Sequence, residues 1–168
     1  MFDRTEGKKA KKNIMETVTE RIQRLREKMA EHQMDAYLVP TSDFHESEYV
    51  GEYFACRKYI TGFTGSAGQA VITKDWAGLW TDGRYFVQAS AELAGSGVEL
   101  MKMGEPGVPT VETYLQQHLP EGGVLGFDGR VINSMMGERL RDLLGANRVS
   151  VESGYDLVGE IWEDRPEL

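Results

Sequence analysis

Apolar residues recur along the chain with two periods, one typical of helices and one of buried strands. Residues 15–29 carry apolar side chains at steps of three and four, which line one face of a helix, and the opposite face is charged. The run 36–40, Ala-Tyr-Leu-Val-Pro, is short, apolar and closed by proline, as a buried strand is. The pattern therefore predicts a helix that packs on a sheet. It is too short to favour a coiled coil.

The remainder of the chain alternates between the two periods. Two strands at 69–73 and 77–81 are separated by three residues, which predicts a β-hairpin. The predicted helices beyond the hairpin are 84–93, 109–119, 135–144 and 157–162. The predicted strands there are 98–103, with one solvated face, 124–127 and 148–151. This order predicts an α/β fold in which a mixed sheet carries helices on both faces.

The segment from 41 to 68 follows neither period. Its first part, 41–49, is a polar loop, and its second part, 56–68, is rich in glycine and ends at a predicted strand. Because glycine permits positive φ and close backbone approach, we expect 56–68 to be a tightly folded loop.

Composition narrows the class of protein. Of 168 residues 40% are hydrophobic and 27% charged, a mixture that buries a core, and the net charge of -8 disfavours general nucleic-acid binding. A single cysteine excludes an internal disulfide. Since we find neither a signal peptide nor an apolar run approaching the ~20 residues of a membrane span, we expect a soluble, cytoplasmic protein. Residues 1–13, with five bases and two acids, are expected to form a disordered tail.

Residues that could bind a metal are few and scattered. There is no HExxH motif and no cysteine pair, and His32 and His118 fall near predicted helix ends, where capping or surface positions are usual. Four acids near strand ends could instead form a nuclease-like carboxylate cluster, although single acids there are normally turn and cap residues: Asp35, Asp43, Asp82 and Asp128. We predict no metal site and no catalytic residue in this chain.

Two candidate nucleophiles are equally weak. Ser66 lies among small residues but precedes a strand, so it lacks the strand-to-helix setting of a nucleophile elbow. Cys56 is followed by Arg57, a cation that could lower the thiol pKa, whereas burial would make the same thiol inert. We favour the buried, structural thiol.

Arg84 is a better candidate for binding. Asp82-Gly83 is a turn signal that places Arg84 at the mouth of the predicted sheet. There its guanidinium could bind a carboxylate through a fork of donors, or it could form a structural salt bridge with a loop acid.

Five linked motifs carry a resemblance to a known family. They are P-T-S-D-F-H-E-S-E-Y, R-K-Y-I-T-G-F-T-G-S-A-G, L-W-T-D-G-R-Y-F-V-Q-A, L-M-K-M-G-E-P-G-V-P-T and I-W-E-D-R-P-E-L. In this order, from about Glu20 to Leu168, the chain resembles the N-terminal domain of the creatinase/prolidase/aminopeptidase P family in its three-domain cytosolic form.

The resemblance implies the family's N-terminal α/β domain over residues 14–168, with a ribonuclease-H-like motif. It also implies a parent Xaa-Pro aminopeptidase, which removes an N-terminal residue followed by proline with the help of two divalent ions, expected to be manganese. The family holds those ions in a C-terminal pita-bread domain, which we expect to be absent here. We therefore expect this chain to contain no cofactor and to be inactive alone, as an accessory domain that shapes the substrate cleft.

The resemblance also implies site residues and partners. Arg84 would bind substrate at the cleft, and His45 would lie at the cleft rim or have a structural role. The expected partners are the middle and catalytic domains of the same chain and proline-containing peptides, with no nucleic acid and no membrane. We also expect a homodimer, since Leu157, Ile161 and Trp162 would be exposed without a neighbouring domain.

Two other functions stay open from the sequence. The family's architecture is reused without peptidase activity in a histone-chaperone subunit, and an acidic surface would suit such basic partners. A stand-alone nuclease on the ribonuclease-H-like sheet is a more distant alternative.

Overall fold

The computed structural model of the protein describes residues 16–41 and 51–168. The predicted tail, Met15, Asp43 and His45 lie outside these ranges. The helices are α1 Val18–Glu31, α2 Cys56–Thr61, α3 Phe86–Leu93, α4 Val111–His118, α5 Ser134–Gly145 and α6 Leu157–Ile161. The strands are β1 Ala36–Pro40, β2 Gln69–Thr73, β3 Ala77–Thr81, β4 Glu99–Lys102, β5 Val124–Gly126 and β6 Ser150–Glu152.

These six described strands form one mixed sheet in the order β4-β3-β2-β1-β5-β6. β2 is antiparallel to both β1 and β3, and the pairs β3–β4, β1–β5 and β5–β6 are parallel. The hairpin is confirmed, since residues 74–76 join β2 to β3 and the Thr73 amide donates to the Trp76 carbonyl at 2.7 Å. β1–β3 form an antiparallel meander, which β5 and β6 extend beyond β1 as parallel strands, and β4 lies outside β3.

Helices cover both faces of the sheet, as predicted. Alternation along the strands sends Tyr37 and Val39 of β1 to one face and Ala36 and Leu38 to the other. Helices α1, α2, α3 and α6 pack on the first face, and α4 and α5 pack on the second. Each face therefore has its own apolar cluster, and the central strands β1 and β2 are buried between the two.

Side-chain caps fix where several helices begin. The side chain of Thr17 accepts a hydrogen bond from the Glu20 amide at the start of α1. Thr110 accepts from the Thr113 amide at the start of α4, and Asn133 accepts from the Met136 amide at the start of α5. Such caps satisfy amides that the helix itself leaves unpaired. Proline at 109 therefore precedes the cap of α4 and does not open the helix.

Three further expectations were wrong. Residues 56–61 form helix α2, not loop, and the helix ends at Gly62, whose φ of 77° is left-handed. Strand β4 does not have one covered and one solvated face, because Leu100 packs partly against one apolar cluster and Met101 against the other, while Glu99 and Lys102 are exposed. Leu157 and Ile161 are buried and Trp162 stacks on Tyr59 at 4.6 Å, so the reason for expecting a homodimer disappears.

Among the described residues, no helix combines the length and apolar character that a membrane span requires.

Candidate functional site

The candidate site lies at one edge of the sheet. β1, β3 and β5 run in the same direction, so their carboxyl ends meet at one edge, and antiparallel β2 starts there. We call this edge the carboxyl edge and define it by Thr41, the loop Gly62–Gly68, residues 82–85 and residues 128–130. Loops at the carboxyl ends of parallel strands are where α/β sheets commonly bind ligands.

The loop Gly62–Gly68 is held down by hydroxyl groups of the neighbouring strands. The Thr41 hydroxyl donates to the Gly68 carbonyl and the Thr81 hydroxyl to the Ala67 carbonyl, each at 2.7 Å. Gly65 must be glycine, because a Cβ there would lie 2.2 Å from Cζ of the Phe63 ring. The prediction of a tightly folded loop leading into a strand therefore holds for residues 62–68.

Arg84 stands at the end of β3 and is ion-paired within its own turn. Its Nε and Nη2 donate to Oδ1 and Oδ2 of Asp82, both at 2.9 Å, and its amide donates to Oδ1 at 3.0 Å. The side chain remains 69% exposed, and its guanidinium carbon lies 5.1 Å from the centre of the Tyr85 ring. The structure therefore contains the local salt bridge that the sequence left open as an alternative.

The salt bridge orients Arg84 without using all of its donors. The hydrogen bond from the Arg84 side chain is the main cause that lowers the pKa of Asp82, and the same bond raises the pKa of Arg84, so both groups are charged at neutral pH. Only two of the five N–H groups of the guanidinium point to Asp82. The remaining edge, between Nη1 and Nη2, suits a second carboxylate or a peptide carbonyl.

A second turn with the same sequence lies further along the carboxyl edge. Asp128-Gly129-Arg130 follows β5, and Arg130 donates its amide, Nε and Nη2 to Asp128 at 3.0 Å each, which repeats the contacts of Arg84. Arg130 also donates to Asp156 at 3.1 Å. We did not identify Arg130 from the sequence, although the repeated Asp-Gly-Arg was a visible signal.

Asp156 is the centre of an ion network behind this second turn. It accepts from Arg165 at 2.6 Å and from Arg130, and it caps α6 through the Gly159 amide at 2.9 Å. Arg165 is largely buried, with its guanidinium carbon 3.7 Å from the centre of the Tyr53 ring. A Cβ at residue 159 would lie 2.3 Å from Nη1 of Arg165 and 2.5 Å from Oδ2 of Asp156, so a larger residue there would displace this ion pair. The network fixes the C-terminal segment onto the carboxyl edge.

Cys56 is a half-buried thiol at the start of α2, which fits the structural role that we favoured. Burial is the main cause that raises its pKa to about 12, and the nearby Asp156 acts in the same direction. Arg57 does not activate it, because the Arg57 guanidinium bonds to Thr41 and Gly65.

We expect Cys56 to be almost unreactive in the folded chain. At pH 8 a pKa of about 12 leaves far less thiolate than in a free thiol, so reaction with DTNB should be about a hundredfold or more slower than after unfolding in urea. The absorbance of the released thionitrobenzoate measures both rates. Equal rates in the folded and unfolded chain would contradict the burial of this thiol.

The described residues do not supply a metal site. No group of three or more His, Cys, Asp or Glu side chains within 16–41 and 51–168 is placed to hold an ion. Asp35 precedes β1 and therefore lies at the opposite edge from Asp82 and Asp128, where it accepts from the Val124 amide and pairs with Lys74. The carboxylate cluster considered from the sequence is therefore not formed by these three acids.

The two described histidines have structural contacts. His32 is the cap residue after α1 and packs on Tyr155 at 4.1 Å. His118 ends α4, stacks on Tyr114 at 3.9 Å and bonds the Tyr114 carbonyl through Nδ1 at 2.9 Å. Both lie at helix ends, as predicted.

Comparison with known proteins places this site in a family context. Residues 21–159 match the family model of the creatinase/prolidase N-terminal domain. Aminopeptidase P2 of Arabidopsis thaliana is 45% identical over 133 residues, which cover 78% of this chain and 19% of the relative. The crystal structure of an X-prolyl aminopeptidase from Caenorhabditis elegans, a cytosolic enzyme with a di-nuclear active site, superimposes with a TM-score of 0.85 at 37% identity.

The extent of these matches differs between whole enzymes and isolated domains. The chain covers only 26% of the Caenorhabditis elegans enzyme, although 90% of the chain is matched. By contrast, it covers 97% of a crystallised N-terminal domain of the cytoplasmic peptidase PepQ from Mycobacterium tuberculosis, at 26% identity and a TM-score of 0.60. The chain thus corresponds in extent to one domain of such enzymes.

Proposed function

Since the chain belongs to the creatinase/prolidase N-terminal domain family, we propose that it serves as the N-terminal domain of a longer Xaa-Pro aminopeptidase. In that enzyme residues 14–168 shape one side of the substrate cleft, and the middle and catalytic domains of the same polypeptide are the domain's partners. The main support is the similarity to the Caenorhabditis elegans X-prolyl aminopeptidase over 90% of this chain. We also propose a cytoplasmic location, because the same relative is a cytosolic enzyme.

The chemistry itself is assigned to the rest of the polypeptide. The Caenorhabditis elegans enzyme has a di-nuclear active site, and we propose a pair of divalent ions, manganese by preference, for the parent of this chain. The described residues do not fit such a pair, because they bring together no ligand group. We therefore assign them no step in hydrolysis, and their contribution is to bind and orient the peptide.

Arg84 is the residue proposed to contact the peptide. It is exposed at the carboxyl edge, it is held by Asp82, and it keeps a guanidinium edge for a carboxylate or a peptide carbonyl. His45 lies outside the described residues, and its place at the cleft rim stays a prediction.

Arg84→Ala in the parent enzyme is expected to raise KM for Xaa-Pro peptides about tenfold, since a charge-assisted hydrogen bond to the peptide is lost. kcat should change little, because Arg84 binds substrate and transition state alike. Steady-state kinetics measure both constants. The melting temperature should not fall, because the side chain is exposed.

Arg130→Ala is the matched control for this experiment. Arg130 has the same turn and lies on the same edge, but two carboxylates, those of Asp128 and Asp156, bind its guanidinium. Its removal should leave KM close to that of the unmodified enzyme. Equal effects of the two substitutions, or no effect of Arg84→Ala at unchanged stability, would contradict the proposed role of Arg84.

The comparisons do not support the alternative of a histone-binding module. The relatives described above are peptidases, and the turn that carries Arg84 lies within the matched region.

A further inference from the structure

Arg57 is a buried cation without a carboxylate partner among the described residues. Only 5% of the residue is exposed, and none of the ion pairs in the described ranges includes it. Its Nε has no hydrogen-bond partner there. Burying an unpaired charge is costly, which is why burial lowers the pKa of Arg57 to about 10, yet the group stays protonated at neutral pH.

The two nitrogens at the tip of Arg57 connect separate parts of the carboxyl edge. Nη1 donates to the hydroxyl of Thr41, at the end of β1, and Nη2 donates to the carbonyl of Gly65. Thr41 in turn donates to the Gly68 carbonyl. A single guanidinium therefore ties β1 to both halves of the loop Gly62–Gly68, which the single ammonium of lysine would not reproduce.

The loop passes this restraint to the segment that carries Arg84. The hydroxyl of Ser66 is hydrogen-bonded to the hydroxyl of Tyr85, the residue after Arg84. The Tyr85 ring also meets the Phe63 ring edge-on at 5.8 Å, and the Arg57 guanidinium carbon lies 4.9 Å from the centre of the Phe63 ring. Tyr85 thus rests on a loop whose conformation depends on Arg57.

We propose that Arg57 is a positioning residue for Arg84, which acts through the loop Gly62–Gly68 and Tyr85 to hold Arg84 at the distance from β1 at which it meets the peptide. This inference rests on the proposed function, because it assigns Arg57 a part in the same peptide contact. Arg57 would thus contribute to peptide binding without touching the peptide itself.

A double-mutant cycle in the parent enzyme tests the proposal. Arg57→Lys alone should lower kcat/KM for an Xaa-Pro peptide about tenfold, mainly through KM, because misplacing a binding group costs affinity without changing the chemistry. In an enzyme that already carries Arg84→Ala, the same substitution should have no further effect, because the contact it positions is already lost. Ser66 is exposed, and Ser66→Ala leaves Arg57 intact. This substitution should also lower kcat/KM only when Arg84 is present.

Leu140→Ala is the control for a merely structural role. Leu140 is fully buried in the apolar cluster on the other face of the sheet, so its substitution destabilises the domain without approaching Arg84. Its effect on kcat/KM should be the same with and without Arg84. If Arg57→Lys behaves in that additive way, the inference is overturned while the role of Arg84 stands. If Arg84→Ala leaves KM unchanged, the proposed function and the inference fall together.

Hydrogen exchange on the 168-residue chain gives a test that does not depend on peptidase activity. Arg57→Lys should speed amide exchange at residues 65–68 and at Tyr85 about tenfold or more, with exchange in α5 unchanged. Unchanged exchange at those amides would overturn the inference whatever the kinetics of the parent enzyme.

Discussion

Trp80→Ala is expected to lower the free energy of unfolding of the chain by about 3–5 kcal/mol, the usual cost of removing a buried aromatic side chain. Trp80 is only 1% exposed, its ring packs edge-on against Trp76 and Tyr114, and its Nε1 donates to the Pro109 carbonyl at 2.9 Å. Domains of this kind are stable by about 5–15 kcal/mol, so the loss is a large part of the total. Urea unfolding followed by far-UV circular dichroism measures it.

Val87→Ala is the control for this measurement, because Val87 is 87% exposed. Its effect should stay within about 0.5 kcal/mol. Trp80 and Arg84 stand four residues apart in one motif, but Trp80 is buried in the core whereas Arg84 is exposed and is proposed to bind the peptide. Substitution of Trp80 should destabilise the fold, whereas substitution of Arg84 should weaken peptide binding. A Trp80→Ala chain as stable as the unmodified one would contradict the described packing of β3.

Asp156→Ala should be comparably destabilising, by about 3 kcal/mol or more. Arg165 is 12% exposed at its side chain and would be left as a buried cation without its carboxylate, and α6 would lose its cap. The same urea titration measures the change. Asp156→Asn keeps an oxygen for the cap but removes the charge. Its free energy of unfolding should therefore lie between those of the unmodified chain and Asp156→Ala, which separates the contribution of the cap from that of the ion pair.

Asp82→Ala is the matched control for Asp156→Ala. Asp82 also pairs with an arginine, but Arg84 is 69% exposed and regains water when its partner is removed. The unfolding midpoint of Asp82→Ala should therefore remain near that of the unmodified chain. Equal midpoints for Asp156→Ala and Asp82→Ala would contradict the view that the ion network at Asp156 holds the C-terminal segment in place.

The buried strands were the most predictable part of the fold. β1 and β2 are covered on both faces, so they read as continuous apolar runs, and the three-residue connection between β2 and β3 identifies the hairpin directly. Helix α2 was missed because it has only six residues and is held by tertiary contacts: Tyr59 and Ile60 are buried under α1 and α6. Strand β4 was misjudged because this edge strand packs partly on both of its faces, through Leu100 on one and Met101 on the other.

The candidate site was predictable only where its contacts are local. Arg84 bonds to an acid two residues away, so the turn signal Asp82-Gly83 located it. The contacts of Arg57 and Arg165 reach Thr41 and Tyr53, which are 16 and 112 residues distant, and no periodicity in the sequence indicates such pairs. The same holds for the bond from Arg130 to Asp156, which spans 26 residues, although the local turn Asp128-Gly129-Arg130 is visible in the sequence.

We propose that this chain is the N-terminal domain of a longer Xaa-Pro aminopeptidase, and immunocapture from source cells tests this proposal most directly. An antibody to the chain should capture a polypeptide several times larger than 18.9 kDa. The captured protein should release the N-terminal residue of Xaa-Pro peptides and lose that activity on treatment with a metal chelator. Capture of an 18.9 kDa protein without peptidase activity would contradict the proposed function.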